Sequence, residues 1–144
     1  MYKKIIFSAL SLCVLLSVTA CTSPYVGNKY PDSNLPKIDQ GHIAGRVGEV
    51  LLDYNISIDD KQKIMTVVGT VQLSSSEFTA TWDVDSINLY FFFLDNEKVV
   101  LTKENIFVNT DGNVADDIIP FKGSFKYRPE YVYVSNGYHV NVSY

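Results

Sequence analysis

Nucleophilic or acid–base chemistry needs a nucleophile, a base and a group that orients the base. The chain offers few residues of those kinds. Its 2 histidines, His42 and His139, are far apart in sequence, and His139 alternates with Val140 on the expected outward face of the last strand. No H-E-x-x-H run, no second histidine near either one and no paired cysteines supply a transition-metal site. Carboxylates are neighbours at Asp59-Asp60, Asp83/Asp85 and Asp116-Asp117, and glycosidases do work with two carboxylates. Each pair falls in an expected turn or strand edge, where acids serve as solvated turn residues. The stretch 109–117 is richer in oxygen: Asp111, Asn113, Asp116 and Asp117 are candidate calcium ligands and also good turn formers. They lack the alternating acid spacing and terminal bidentate Glu of a twelve-residue calcium loop. The 8 glycines are scattered singly, so there is no phosphate cradle. The expectation is a protein without catalytic residues or cofactor.

Composition narrows the partners. The 144 residues, enough for one domain, carry 12 basic and 16 acidic side chains, net −4, which makes nucleic acid an improbable partner. With 47% apolar and 19% charged residues there is ample surface to bury, and 2 cysteines cannot build a disulfide miniprotein. Residues 1–20 read as a secretion signal: Lys3 and Lys4 precede an apolar stretch from Ile5 to Val18, too short to span a bilayer.

That segment ends Val18-Thr19-Ala20-Cys21, which resembles the bacterial lipobox. The resemblance implies cleavage before Cys21, a diacylglyceryl thioether on its sulfur and an acylated amine, hence a lipoprotein anchored in the cell envelope through Cys21. Thr22, where an Asp would favour inner-membrane retention, implies the outer membrane facing the periplasm if the source is Gram-negative. Cleavage removes two lysines and Cys13 but no acid, leaving 10 basic and 16 acidic residues, net −6. Anionic headgroups would repel such a chain, so attachment rests on the acyl chains, at about 0.8 kcal/mol per buried methylene.

Residues 21–40 follow as the lipidated cysteine and a tether. Pro24, Pro31 and Pro36 with Ser, Asn and Asp between them show no apolar periodicity, and a flexible coil of that length spans roughly 25 Å r.m.s.. The domain is expected over 41–144, standing off the surface.

Within it the period is two. Leu52, Tyr54, Ile56 and Ile58 alternate with polar residues, as do Met65, Val67, Gly69, Val71 and Leu73 with Thr66, Val68, Thr70 and Gln72 beyond a polar break at 59–62, predicting an antiparallel hairpin. Asn136-Gly137 is the preferred two-residue hairpin turn. It would pair Ser135 with Tyr138, Tyr133 with Val140 and Tyr131 with Val142, placing Tyr131, Tyr133, Tyr138, Val140, Val142 and Tyr144 on the core face and Val132 and Val134 opposite. About seven strands result: 49–58, 63–73, 78–94 in one or two pieces, 98–108, 120–127, 131–135 and 138–144. Residues 42–52 come closest to a helix, but Gly45 and Gly48 weaken it. Many short strands with regular turns predict an all-β, antiparallel, immunoglobulin-like β-sandwich.

Phe91-Phe92-Phe93-Leu94-Asp95, with Gly69-Thr70-Val71 upstream, resembles the F-x-L-Y-D immunoglobulin-like domains of bacterial envelope proteins, with Phe93 in place of Leu and Leu94 in place of Tyr. The resemblance implies a sandwich used for binding or as structural filler, and carries no catalytic residues.

In Leu89-Tyr90-Phe91-Phe92-Phe93-Leu94 both parities are apolar. If Ile87, Leu89, Phe91 and Phe93 face the core, Tyr90, Phe92 and Leu94 face outward and need a cover, either Tyr25, Tyr30 or another strand of this chain, or a partner. The function expected is a non-enzymatic binding or assembly module that engages another envelope protein. A carbohydrate- or ion-binding module, or a small hydrolase, is the alternative.

Overall fold

A computed structural model of the chain describes residues 23–32, 34–74, 83–110 and 117–143, with Asp83 described by its backbone alone. The signal segment, Cys21, the aromatic stretch 78–82, Tyr144 and the calcium candidates Asp111, Asn113 and Asp116 lie outside them. A 3-10 turn, Ile38–Gln40, precedes seven strands: β1 (His42–Val47), β2 (Val50–Asp59), β3 (Ile64–Leu73), β4 (Asp83–Leu94), β5 (Val100–Asn109), β6 (Ile118–Lys126) and β7 (Tyr133–Ser143). They form two antiparallel sheets, β1-β2-β3-β6 and β5-β4-β7, so the chain is an all-β sandwich.

The β2–β3 hairpin is the one the alternation predicts, with Leu52 opposite Val71, Ile56 opposite Val67 and Asp59 opposite Ile64. Its turn is set by Asp59, whose Oδ1 accepts from the backbone N–H of Lys61 and Gln62, both at 3.0 Å. The β4–β5 turn uses the same device: Asp95 Oδ1 accepts from Glu97 and Val99, both at 2.9 Å. Each turn also holds a lysine, Lys63 or Lys98, at positive φ.

The core lies between the sheets. Leu52, Tyr54, Met65 and Val67 from one side meet Ile87, Leu89, Phe91 and Phe93 from the other, all buried. Tyr54 sets its ring edge-on to Phe91, centroids 5.4 Å apart. Gly69 lies opposite Tyr54, and a Cβ there would overlap the Asp53 carbonyl and Tyr54 Cβ, so only glycine lets the ring in.

Because β3 pairs β6 in one sheet while β4 pairs β7 in the other, these four strands take the places of B, E, C and F in an immunoglobulin sandwich. No strand among the described residues occupies the G place beside β7.

Three expectations are corrected. Asn136-Gly137 is not a turn: β7 runs straight through it, Asn136 opposite Phe91 and Gly137 opposite Tyr90, and neither residue has a positive φ. The long β4 offers partners along its whole length, so continuous pairing displaces the local turn preference. Without the turn the strand keeps one parity, which leaves Val134 buried in the core and puts Tyr133 on the outer face with Phe92. Second, 42–47 is a strand, since pairing with β2 satisfies its backbone despite Gly45. Third, the described part of the tether, up to Gln40, is bound to the domain by backbone hydrogen bonds to β5 and to the start of β7.

Candidate functional site

The outer face of the β5-β4-β7 sheet is a grid fixed by register. Across it run Lys103, Phe92 and Ser135; then Asn105, Tyr90 and Gly137; then Phe107, Asn88 and His139. Alternation along β4 sends Phe92 and Leu94 to this face as surely as it sends Phe91 and Phe93 inward.

Residues 23–32 and 34–38 cross the upper half of the grid as a strap. At the β5 edge Gly27 N–H donates to Val100 O at 2.8 Å, Val100 N–H to Asn28 O at 3.0 Å and Tyr30 N–H to Lys98 O at 2.8 Å. At the β7 edge Val134 N–H donates to Pro36 O at 3.1 Å and Ile38 N–H to Val132 O at 3.0 Å. Between those ties Val26, Tyr30 and Leu35 lie on Phe92, Leu94 and Val100, which are 8%, 0% and 3% exposed, and Tyr133 joins the same cluster. Tyr25 adds an edge-on contact to Phe92, centroids 5.3 Å apart. Of the outward residues Tyr90, Phe92 and Leu94, the strap thus buries two and leaves Tyr90 half-exposed. Of the two covers expected for this face, the structure has the intramolecular one.

Lys103 closes the cluster. Its Nζ lies 3.8 Å from the Tyr90 ring centroid, 5.3 Å from that of Tyr25 and 5.7 Å from that of Phe92, so one ammonium touches the π-faces of sheet and strap together. Beside it a groove of about 460 Å³ runs between strap and sheet, walled by Tyr25, Tyr30, Tyr90 and Phe92. Gly137 lines its floor; a Cβ there would sit 3.4 Å from Phe92 and 3.7 Å from Tyr90.

A second cavity of about 970 Å³ opens between the strap, β1 and the start of β7. Buried beneath it, Tyr54 donates its hydroxyl to Asn136 Oδ1 at 2.8 Å, while Asn136 Nδ2 is buried with no partner among the described residues. Burial pushes the Tyr54 phenol well above its ordinary value, and the bond to Asn136 offsets part of that.

The other candidates are dispersed. His42 stands on the opposite sheet, its Nε2 2.8 Å from Asp53 Oδ1, both side chains largely exposed. His139 is on the outer face opposite Asn88, as its parity predicts. Asp59 is engaged in its turn, Asp60 faces Lys63 at 3.4 Å, Asp85 accepts from Ser143 at 3.0 Å, and Asp117 is exposed. Among the described residues no three His, Cys, Asp or Glu side chains converge.

Two features went unread in the sequence: Lys103 and the edge of β7, which beyond its ties to the strap has no strand beside it among the described residues. The signal for Lys103 was its place four residues before Phe107 on a strand facing the aromatic run. For β7 it was the lack of any Lys, Arg, Asp or Glu in 133–143. No protein-family model, curated protein or solved structure matches this chain.

Proposed function

We propose that this protein is a membrane-anchored envelope lipoprotein, held through Cys21, whose sandwich acts as a non-enzymatic binding module and recruits another envelope protein by strand addition at β7. The observation that carries the reading is the contrast among the four strands that stand at sheet edges among the described residues. Exposed edges invite pairing, and proteins blunt them with charge, proline or shortness. β1 is short and bears Arg46; β6 carries Pro120, Lys122 and Lys126; β5 carries Lys103 and Glu104 and is tied to the strap at its start. β7 runs 11 residues with neither proline nor formal charge. Its pairing groups are turned the right way: Val134 gives its N–H to Pro36, away from β4, and antiparallel alternation then points the backbone of Asn136, Tyr138 and Val140 the same way. The strap itself uses this edge at 132–134 before leaving it at Ile38, so the mode of binding already has an example within the chain. The resemblance of 91–95 to envelope immunoglobulin-like domains agrees with a binding role.

The test is photocrosslinking from position 141 in native membranes. Val140→Pro removes an outward N–H without touching a β4 bond, whereas Val140→Thr keeps it. The reading expects a crosslinked envelope protein that disappears with Val140→Pro and persists with Val140→Thr, both variants folding. Crosslinks unaffected by Val140→Pro, or none from the parent, would refute it.

A further inference from the structure

The strap changes where the anchor leaves the domain. Val26 N–H donates to Ser23 O at 3.0 Å and Asn28 Nδ2 to Pro24 O at 2.7 Å, which winds 23–28 into a turn seated on the outer face. Cys21 is two residues earlier, so its backbone can lie no more than about 7 Å from Ser23. A lipid carried there has none of the free length that a nineteen-residue coil would provide. We infer that the outer face of the β5-β4-β7 sheet lies flat against the phospholipid surface that holds the anchor, with Tyr25, Lys103 and Phe107 at headgroup depth; this rests on the lipidation of Cys21.

The side chains of that face fit such a partner. Tyr25 is 52% and Phe107 62% exposed, the latter among the most exposed large apolar side chains of the described residues. Phe107 lies four residues along β5 from Lys103, roughly 13 Å, so the aromatic groups span the face instead of clustering at one corner. Aromatic rings with an apolar body and lysines with a long apolar stem are the residues that settle at a membrane–water interface. Charge is segregated to match. Between Asn88 and Leu94 the outward-facing cross-strand rows contain one formally charged side chain, Lys103, and the strap adds exposed Lys29, Asp32 and Lys37. On the strap Asp32 is the one acid among the described residues, while Glu104 alternates to the inner side of β5 opposite Phe91, and Asp95 and Glu97 sit in the β4–β5 turn. An acidic chain, net −6 once cleaved before Cys21, thus turns a basic and aromatic face toward its own anchor, which offsets the repulsion expected from net charge alone. The edge of β7 is left pointing sideways, along the membrane.

The test uses the full chain, processed in a bacterial host, purified from membranes and reconstituted in vesicles of phosphatidylethanolamine and phosphatidylglycerol with a fraction of doxyl-labelled lipid. A single reporter cysteine carries an environment-sensitive dye, either at Asn105, between Lys103 and Phe107, or at Asn55 on the outer face of the other sheet. The acyl content of Cys21 is read first by mass. An unacylated chain overturns the lipoprotein reading. With an acylated chain, the inference expects the Asn105→Cys label to be quenched by the lipid and the Asn55→Cys label to remain in water. Equal quenching at the two positions overturns the inference alone. So does an Asn105→Cys label shielded from aqueous iodide yet not quenched by lipid, which would put a protein on this face.

Discussion

Phe92→Ala is the sharpest probe of the strap. The ring is 8% exposed and is enclosed by Tyr25, Val26, Tyr30 and Leu35 on one side and by Leu94, Val100 and Tyr133 on the other. Truncating a buried phenylalanine costs about 3–5 kcal/mol through lost transfer energy plus the cavity left behind. Here the cover is a strap that can settle into the gap, so the expected loss is near the lower end, about 3 kcal/mol. For a domain of roughly 100 residues each kcal/mol moves the midpoint by about 4–8 °C, which gives a fall of roughly 12–24 °C in a melt followed by far-ultraviolet circular dichroism. Because the ring holds the strap, its loss should also expose Lys29 and Lys37 to trypsin under native conditions, well before the core is cut. A midpoint within about 0.5 kcal/mol of the parent, the usual range for surface substitutions, together with unchanged proteolysis would show that the strap does not bury this residue.

Tyr54→Phe deletes the hydroxyl that donates to Asn136 Oδ1, on a side chain whose Nδ2 is already buried without a partner among the described residues, and should cost about 1–3 kcal/mol by urea denaturation. The same residue governs alkaline stability. Its folded value is raised, so the stabilisation is fully present below the ordinary 10.0 and is lost as pH rises above it, where the unfolded chain ionises first. Removing the phenol should therefore flatten the decline between pH 10 and 11 by up to ~1.4 kcal/mol per pH unit, and an unchanged slope would contradict the burial. Gly69→Ala forces a Cβ into Asp53 and Tyr54 and should destabilise by about 1–3 kcal/mol; a neutral result would mean that the two strands are further apart than described. Lys103→Gln removes the cation shared by three rings and should cost about 0.5–1 kcal/mol while speeding tryptic cleavage after Lys29, whereas Lys122→Gln on β6 should do neither.

Period-two patterning carried the hairpin of β2 and β3 and both faces of β4, because those strands are half-buried and a one-residue slip would invert every side chain. The same strictness on β4 made its outward aromatics visible as a surface in need of a cover, with Tyr25 and Tyr30 among the residues able to supply it. What sequence reading could not reach is long-range pairing. Asn136-Gly137 has the local preference of a turn, and only the presence of β4 alongside makes continuation the better solution. Pro36 and Ile38 look like tether because their bonds are to Val134 and Val132, far away in sequence. The groove and the Lys103 contact follow from the strap, so neither is legible in a sequence whose residues 22–40 have the composition of free chain.

The central claim is that the mature protein begins at a lipidated Cys21, immediately before the strap. Its most direct measurement is the mass of the tryptic peptide 21–29 from the membrane fraction. The account predicts that this peptide starts at Cys21 and carries a diacylglyceryl group, with an acyl chain on its amine. A peptide that still contains residues of 1–20, or one with an unmodified Cys21, would contradict it.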